Sequence, residues 1–501
     1  LVQEKNQEAQ VTRILSKSKY LLGLQCDKLL WTHYNAKAEL PPVDAATQAI
    51  FDTGHVVGAL AQTLFPGGIE ITGDPKDLEG ALLRTQEELP KRRPLFEPAF
   101  QYQSAFARAD ILNPVARGAW DIVEVKSSAS AKEVNLFDLA HQRYTYEGAG
   151  LKIRKCILMH VDSSYERKGK VDPAKLFTQV DVTDEVLKLL PRIPDDLAAM
   201  TKVINRRTVP DVKIGTHCSD PYDCALVDKC WAFLPEANPL TLYRLRKEKG
   251  FELIHRGITS IKKLPRDVVL NDKQRIQVGS AQKGKPFADK KAIRAFLERL
   301  LYPVWYLDFE TMASAVPLFD RSKPFQNIPF QFSLHVQDKP GATPRHTGYL
   351  AEGTADPRRE FLAELTGALG SRGSIVTYNA SFELKRLEEL AALDPSAKEW
   401  VAQIRRRTVD LLVPFREFAY YHPDQHGSAS IKAVLPALTG AGYDGMEIGD
   451  GGTASSEFVR VTFGEAGEAE RRRVRAALER YCALDTLAMV KIVDRLRSIA
   501  G

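Results

Sequence analysis

Two short apolar stretches of this chain each carry a pair of charged residues two positions apart, and this pattern restricts the possible folds more than any other feature. They are Asp121-Ile122-Val123-Glu124-Val125-Lys126 and Val304-Trp305-Tyr306-Leu307-Asp308-Phe309-Glu310. In an extended strand, side chains two apart lie on one face. Glu124 and Lys126 therefore point at one site, and Asp308 and Glu310 at another. Helical patterns surround both strands, so the expected fold class is α/β in each half.

At 501 residues the chain exceeds what one hydrophobic core supports. Short helical stretches punctuated by Gly250, Gly257 and Pro265, then the polar break from Lys283 to Pro286, mark the junction. We expect a first domain over 1–239, a helical connector over 240–298 and a second domain over 299–501. The chain is 44% apolar and 27% charged, as soluble globular proteins are, and no apolar run suggests a membrane span. The polar start, Leu1 to Arg13, lacks a signal segment, which predicts a cytoplasmic protein with a disordered first dozen residues. A net charge of +6 is compatible with a polyanionic partner without requiring one.

Around the first pair, the pattern predicts helices between Leu15 and Leu64, including a Gly54-x3-Gly58 pair. A β-hairpin follows from Ala105–Ile111 and Trp120–Val125, then a helix over Leu136–Glu147, a buried strand over Lys152–His160 and a helix over Asp184–Ile204. Asp110, at the end of the partner strand, can reach the same edge as Glu124 and Lys126. Carboxylates that hold Mg²⁺ or Mn²⁺ beside a lysine that steadies a hydroxide are the parts of phosphodiester hydrolysis. With Gln142-x3-Tyr146 on the next helix, the set resembles the PD-(D/E)XK nucleases of the RecB and Cas-four group. That resemblance implies a restriction-endonuclease-like domain with Asp110 and Glu124 as metal ligands and Lys126, Gln142 and Tyr146 as catalytic residues. It also implies Glu97 and His55 as further ligands.

Cys218-x5-Cys224-x5-Cys230 is a tight cluster, and Cys26 lies far upstream. Thiolates suit zinc or an iron–sulfur cluster. One distant cysteine plus three resembles the Cas-four and AddB nucleases, which implies a [4Fe-4S] cluster stapling the domain; the x5 spacing keeps zinc as the alternative. Cys156 and Cys482 read as core residues.

In the second half, strands are expected over Val304–Phe309, Ile328–Val336 and Ser374–Tyr378, with helices over Arg358–Leu369 and Glu465–Ile499. Tyr481-x3-Asp485 puts a phenol and a carboxylate on one helix face. Ser381 is the expected N-cap of a helix whose first turn holds Glu383. Together these resemble the DEDDy branch of the DnaQ-like exonucleases, an RNase H-like α/β fold. Asp308 and Glu310 match its first motif, and Tyr481 and Asp485 its third. The second motif normally ends in Asp; here it has Glu383, with Asp410 as a nearby alternative. The resemblance implies two-metal hydrolysis in which Tyr481 orients the attacking water.

Taken over the whole chain, the order of motifs, opening with Leu15-Ser16-Lys17-Ser18-Lys19-Tyr20, resembles bacterial fused nucleases. It implies a dual-site nuclease that trims DNA, favoured over RNA, with Mg²⁺ or Mn²⁺ at both sites and no membrane partner. The competing reading is one active nuclease plus a degenerate module that only binds nucleic acid. No protein partner is indicated.

Overall fold

The computed structural model describes residues 13–74 and 77–501; the expectation for the first dozen residues lies outside them. The chain divides into two units. The first runs to Trp231 and includes Ser314–Phe325; the second comprises Ala232–Ala313 and Gln326–Gly501. Both are α/β. Residues 240–298 fall within the second unit, where Leu242, Ile261, Val278 and Ala281 form a small cluster of their own and Ile293, Phe296 and Leu297 join the core with Val493 and Leu496. No described helix is long and apolar enough to cross a membrane.

In the first unit the strands are β1 (Leu15–Ser16), β2 (Ile69–Glu70), β3 (Leu95–Phe96), β4 (Ala99–Tyr102), β5 (Ala105–Arg108), β6 (Ile111–Pro114), β7 (Trp120–Lys126), β8 (Ile153–Val161) and β9 (Phe177–Asp181). Six form a mixed sheet in the order β2-β3-β6-β7-β8-β9, and β1-β5-β4 form a second. The expected hairpin is therefore built differently. A bend at Ala109–Asp110 interrupts the first stretch, so β5 pairs with β4 and only β6 pairs with β7. Trp120 and Ile122 face a core shared with the Glu133–Gly148 helix, while Val123 faces Val57 and Ala61 of the Ala45–Gln62 helix. The expected 184–204 helix is two, Thr183–Leu189 and Ile193–Ile204, with Pro191 in the short turn between them.

The second unit holds β10 (Phe287–Ala288), β11 (Val304–Met312), β12 (Ile328–Gln337), β13 (Arg345–Leu350), β14 (Ile375–Thr377), β15 (Thr408–Asp410) and β16 (Tyr420–Tyr421). Its main sheet has the order β13-β12-β11-β14-β15, in which β12 alone runs against the others. Period two sorts its faces. Leu307, Phe309, Phe332 and Leu334 pack with the helices Arg358–Ala368, Ser381–Leu393 and Lys398–Arg407. Val304 and Tyr306 face the terminal helix Glu468–Ala500 on the other side, the side that Asp308 and Glu310 share.

Candidate active sites

In the first unit, β7 and the Glu133–Gly148 helix bring Glu124, Lys126, Asp138 and Gln142 together. Lys126 Nζ donates to Glu124 Oε1 at 2.6 Å and to Asp138 Oδ2 at 2.8 Å. Gln142 Nε2 donates to Glu124 Oε2 at 2.7 Å and to Asp138 Oδ1 at 3.0 Å. Lys17, at the start of the helix Lys17–Gln25, donates to Glu124 Oε1 at 2.8 Å. Asp110 accepts from the Val125 N–H at 2.6 Å, which fixes it beside β7. Asp138, Gln142 and Tyr146 recur every four residues and so share one helix face.

Electrostatics follow from this crowding. Burial, then repulsion from Asp110 and Asp138, pushes Glu124 up to about 7. Burial also raises Asp110 and Glu97. Burial opposes ionisation of Asp138 too, but Lys17 and Lys126 hold its pKa below the ordinary carboxylate range.

The remaining predicted residues have different positions. Tyr146 is fully buried, donating to the Pro98 carbonyl and accepting from the Ala109 N–H, both at 2.7 Å. It therefore positions the loops that carry Glu97 and Asp110. Glu97 has a left-handed backbone, φ 55°, with its N–H bonded to the Asp110 carbonyl; an open-chain Glu avoids this conformation. His55 is exposed on the Ala45–Gln62 helix, whose Val57 and Ala61 pack with Val123 on the opposite face of β7. It is not part of the hydrogen-bonded cluster around Glu124.

The second site lies where the sheet's strand order reverses, at the C-terminal ends of β11 and β14, the usual place for ligands in open α/β sheets. A cavity of about 520 Å³ is lined by Asp308, Glu310, Glu383, Tyr481 and Asp485. Glu310, Glu383, Tyr481 and Asp485 are buried, and Asp308 is half-buried. One potential ligand atom from each of Asp308, Glu310 and Cys482 falls within 4.8 Å of the others. Burial pushes Glu310 and Glu383 each up to about 8, with Asp485 adding to the effect on Glu310 and Asp410 to that on Glu383. Asp308 rises well above the usual range through burial and the charges of Asp485, Glu310 and Glu383. Asp485 is raised by burial to about 6, while Tyr443, Lys432 and Tyr481 oppose the rise.

Glu383, not Asp410, lines the cavity. Asp410 ends β15, where its Oδ1 accepts the N–H groups of Asn379 and Leu412 at 2.9 Å each. Ser381 is the first helical residue and not the N-cap; Ala380 takes that place, and Ser381 Oγ bonds Asn379 Oδ1 at 3.0 Å.

Cys26, Cys218, Cys224 and Cys230 line one small cavity of the first unit, alongside His217. Cys26 ends the Lys17–Gln25 helix. Gln25 ties that turn to the cysteine loop by donating to the carbonyls of His217 and Tyr222 at 2.8 and 2.6 Å. Burial raises the Cys26 and Cys224 thiols, and the neighbouring sulfurs add to this.

Residues 305–430 match a family model described as a domain of unknown function, DUF2779. The match takes in Asp308, Glu310 and Glu383 but stops short of Tyr481 and Asp485. The uncharacterized protein MG366 of Mycoplasma genitalium is 28% identical over 207 residues, covering 38% of this chain and 31% of that protein. Its homolog in Mycoplasma pneumoniae is 28% identical over 241 residues, 44% of this chain and 34% of the homolog. The uncharacterized protein UU173 of Ureaplasma parvum is 25% identical over 209 residues, 37% of this chain and 30% of that protein. The matched regions thus span about a third of each of these relatives.

Several site residues escape the motif reading. Lys17 and Asp138 complete the first cluster. At the second, Tyr443 donates to Asp485 Oδ1 at 2.5 Å, and Lys432 Nζ lies 5.3 Å from the centre of the Tyr481 ring. Gly451 and Gly452, at the start of the Gly451–Phe463 helix, also line the cavity. Cys482, although a core residue by burial, has its Sγ 3.9 Å from Asp308 Oδ2. The one sequence clue to these was spacing: Asp138 lies four residues before Gln142, and Cys482 follows Tyr481.

Proposed function

We propose that the chain is a metal-dependent nuclease with two active sites, the second a 3′→5′ exonuclease that trims single-stranded DNA ends. The observation that carries this reading is the gathering of Asp308, Glu310, Glu383 and Asp485 with Tyr481 around one cavity. Their position on and beside the central strand of an α/β sheet is compatible with a DnaQ-like, RNase H-like domain.

These residues suit a divalent cation. Four neighbouring carboxylates oppose one another's ionisation, and Glu383 Oε2 is buried without a hydrogen-bond partner. The four carboxylates offer hard oxygen donors, which suit Mg²⁺ or Mn²⁺. Asp308, Glu310, Glu383 and Asp485 would hold such a cation, which would supply Lewis acidity towards the scissile phosphate and a bound water. Tyr481, in this reading, orients the attacking water with its hydroxyl. Lys432 supplies positive charge against the charge that develops on phosphate.

At the first site Asp110 and Glu124, with Glu97 nearby, form the corresponding acid set of a PD-(D/E)XK-like domain. Lys126 steadies the nucleophile, Gln142 fixes Glu124, and Lys17 balances the buried charge. The four cysteines and the small cavity that they line suit a [4Fe-4S] cluster, with zinc as the alternative.

The test uses the full chain, prepared without oxygen, on 5′- and 3′-labelled single- and double-stranded DNA and RNA with Mg²⁺ or Mn²⁺. Lys126→Ala and Asp308→Ala are each expected to remove a different set of products, Asp308→Ala the 3′→5′ ladder. Wild-type protein that cuts none of these substrates, or an Asp308→Ala ladder identical to wild type, overturns the reading.

A further inference from the structure

An acid cluster repels the polyanion it would cut, so the first site needs a nearby positive region to seat the strand. A second cavity, of about 360 Å³, lies on the same elements and is lined by Ser16, Lys19, His33 and Arg108, with Phe106 in its apolar wall. Among the described residues, no Asp or Glu lines it.

Two segments serve both places. Lys17 opens the Lys17–Gln25 helix and reaches Glu124; Lys19, about 200° further round that helix, lines the cavity, where its Nζ lies 2.9 Å from His33 Nδ1. Arg108 ends β5, two residues before Asp110. Its Nε is buried with no hydrogen-bond partner, and its guanidinium carbon lies 5.9 Å from the centre of the Phe106 ring. Ser16, the N-cap of the same helix, makes no side-chain cap bond to the first-turn N–H groups; its hydroxyl meets Ser18 Oγ at 3.1 Å.

Lys19 and Arg108 share the cavity, and the acids that Arg108 faces, Glu97 and Asp77, are not among its described lining residues. Burial and the charge of Lys37 already lower the Lys19 pKa. A bound anion relieves both costs. A guanidinium fork, an ammonium, an imidazole and a hydroxyl at a helix N-terminus together match the oxygens of a tetrahedral phosphate.

We infer that this cavity is a phosphate-binding subsite that seats one phosphate of the nucleic-acid strand engaged by the first site. The inference rests on the nuclease reading for its substrate. The phosphate is either the 5′-terminal group of the strand or an internal diester.

The experiment reads binding separately from cleavage. The full chain is titrated, with Ca²⁺ in place of Mg²⁺, into 3′-fluorescein single-stranded DNA carrying either a 5′-phosphate or a 5′-hydroxyl, over a range of salt concentrations. The Lys19→Gln/Arg108→Gln double variant is expected to bind at least about tenfold more weakly, with a salt slope shallower by about one. A loss confined to the 5′-phosphorylated strand identifies the terminal phosphate; an equal loss on both strands identifies an internal one. Should the double variant melt below wild type, Lys19→Gln alone carries the test, with an expected loss of about three- to tenfold. Wild-type affinity and salt slope on both strands in a variant that melts as wild type overturns the proposal, and so does a wild-type protein that binds neither strand. Wild type that binds through this cavity yet cuts nothing with Mg²⁺ or Mn²⁺ leaves the subsite standing and removes only the nuclease reading.

Discussion

Glu310 and Glu383 hold their protons up to about pH 8, whereas a glutamate in an unfolded chain loses its proton near pH 4.3. Between those values the folded, metal-free protein keeps protons that the unfolded chain has released, so unfolding releases protons and stability falls as pH rises through the window. Glu124, raised to about 7, acts in the same sense. The melting temperature of metal-stripped protein is therefore expected to drop between pH 5.5 and 8.5 and to be restored by Mn²⁺ more at pH 8 than at pH 6. Asp308→Asn should flatten that drop, because it removes a carboxyl whose own pKa burial and its neighbours raise well above the usual range, and should also weaken the Mn²⁺ response. A metal-stripped melting temperature that does not fall across the window would contradict this account. Tyr481 permits a sharper test at the same scale. If its hydroxyl orients water, Tyr481→Phe lowers kcat on 3′-ends about 100-fold while KM and the Mn²⁺-induced shift stay near wild type.

The terminal helix that carries Tyr481 and Asp485 is held to the sheet by a polar seam on β12. Gln331 donates to the Leu478 carbonyl at 3.0 Å, and Thr486 Oγ1 meets Ser333 Oγ at 2.7 Å and His335 Nδ1 at 2.8 Å. All of these side chains are buried. Thr486→Val keeps the shape but removes the hydroxyl that His335 Nδ1 meets and leaves Ser333 with His346, so it should cost about 1–3 kcal/mol, and Thr486→Ser should recover most of that, measured by urea unfolding. Gly373 sets a different limit: with φ +80°, a Cβ would stand 1.8 Å from the Pro303 carbonyl oxygen. Gly373→Ala should therefore destabilise the β11–β14 junction by more than about 1 kcal/mol. Elements such as these show which parts of the fold were legible in the sequence. Strands β7, β11 and β12 and the helices Glu133–Gly148 and Glu468–Ala500 were legible because their periodicity is local. The Ala105–Ile111 stretch was not, since alternation continues through the bend at Ala109–Asp110 and does not say which sheet each part joins. Glu383 and Asp410 could not be told apart by spacing, because both lie close to strand ends; tertiary packing gives one the cavity and the other two backbone N–H groups. Lys17, Lys432 and Tyr443 reach the sites from segments remote in sequence, and no local pattern marks them.

At the scale of the whole molecule, each unit has its own core and its own acid cluster, and all four cysteines of the cluster belong to the first unit, whose first segment ends at Trp231, just after Cys230. Joining Cys26 to the Cys218–Cys230 loop closes most of the first unit's chain into one long loop, and a metal staple that does so stabilises chiefly by restricting the unfolded state. Its removal should thus be felt where the loop lies. Cys26→Ser, which removes one thiol of the proposed metal cluster, is expected to lower the melting temperature of the first unit by several degrees. It should also diminish the activity that depends on Lys126, because Lys17 and Cys26 sit at opposite ends of the Lys17–Gln25 helix. The Asp308-dependent activity should persist, since the second unit contains none of these ligands. The measurement is a pair of product ladders, from Cys26→Ser and from Cys26→Ser combined with Asp308→Ala. A 3′→5′ ladder that survives in the first and vanishes in the second supports two separately stabilised sites. Loss of that ladder in Cys26→Ser itself would show that the cysteine cluster supports the whole chain and not the first unit alone.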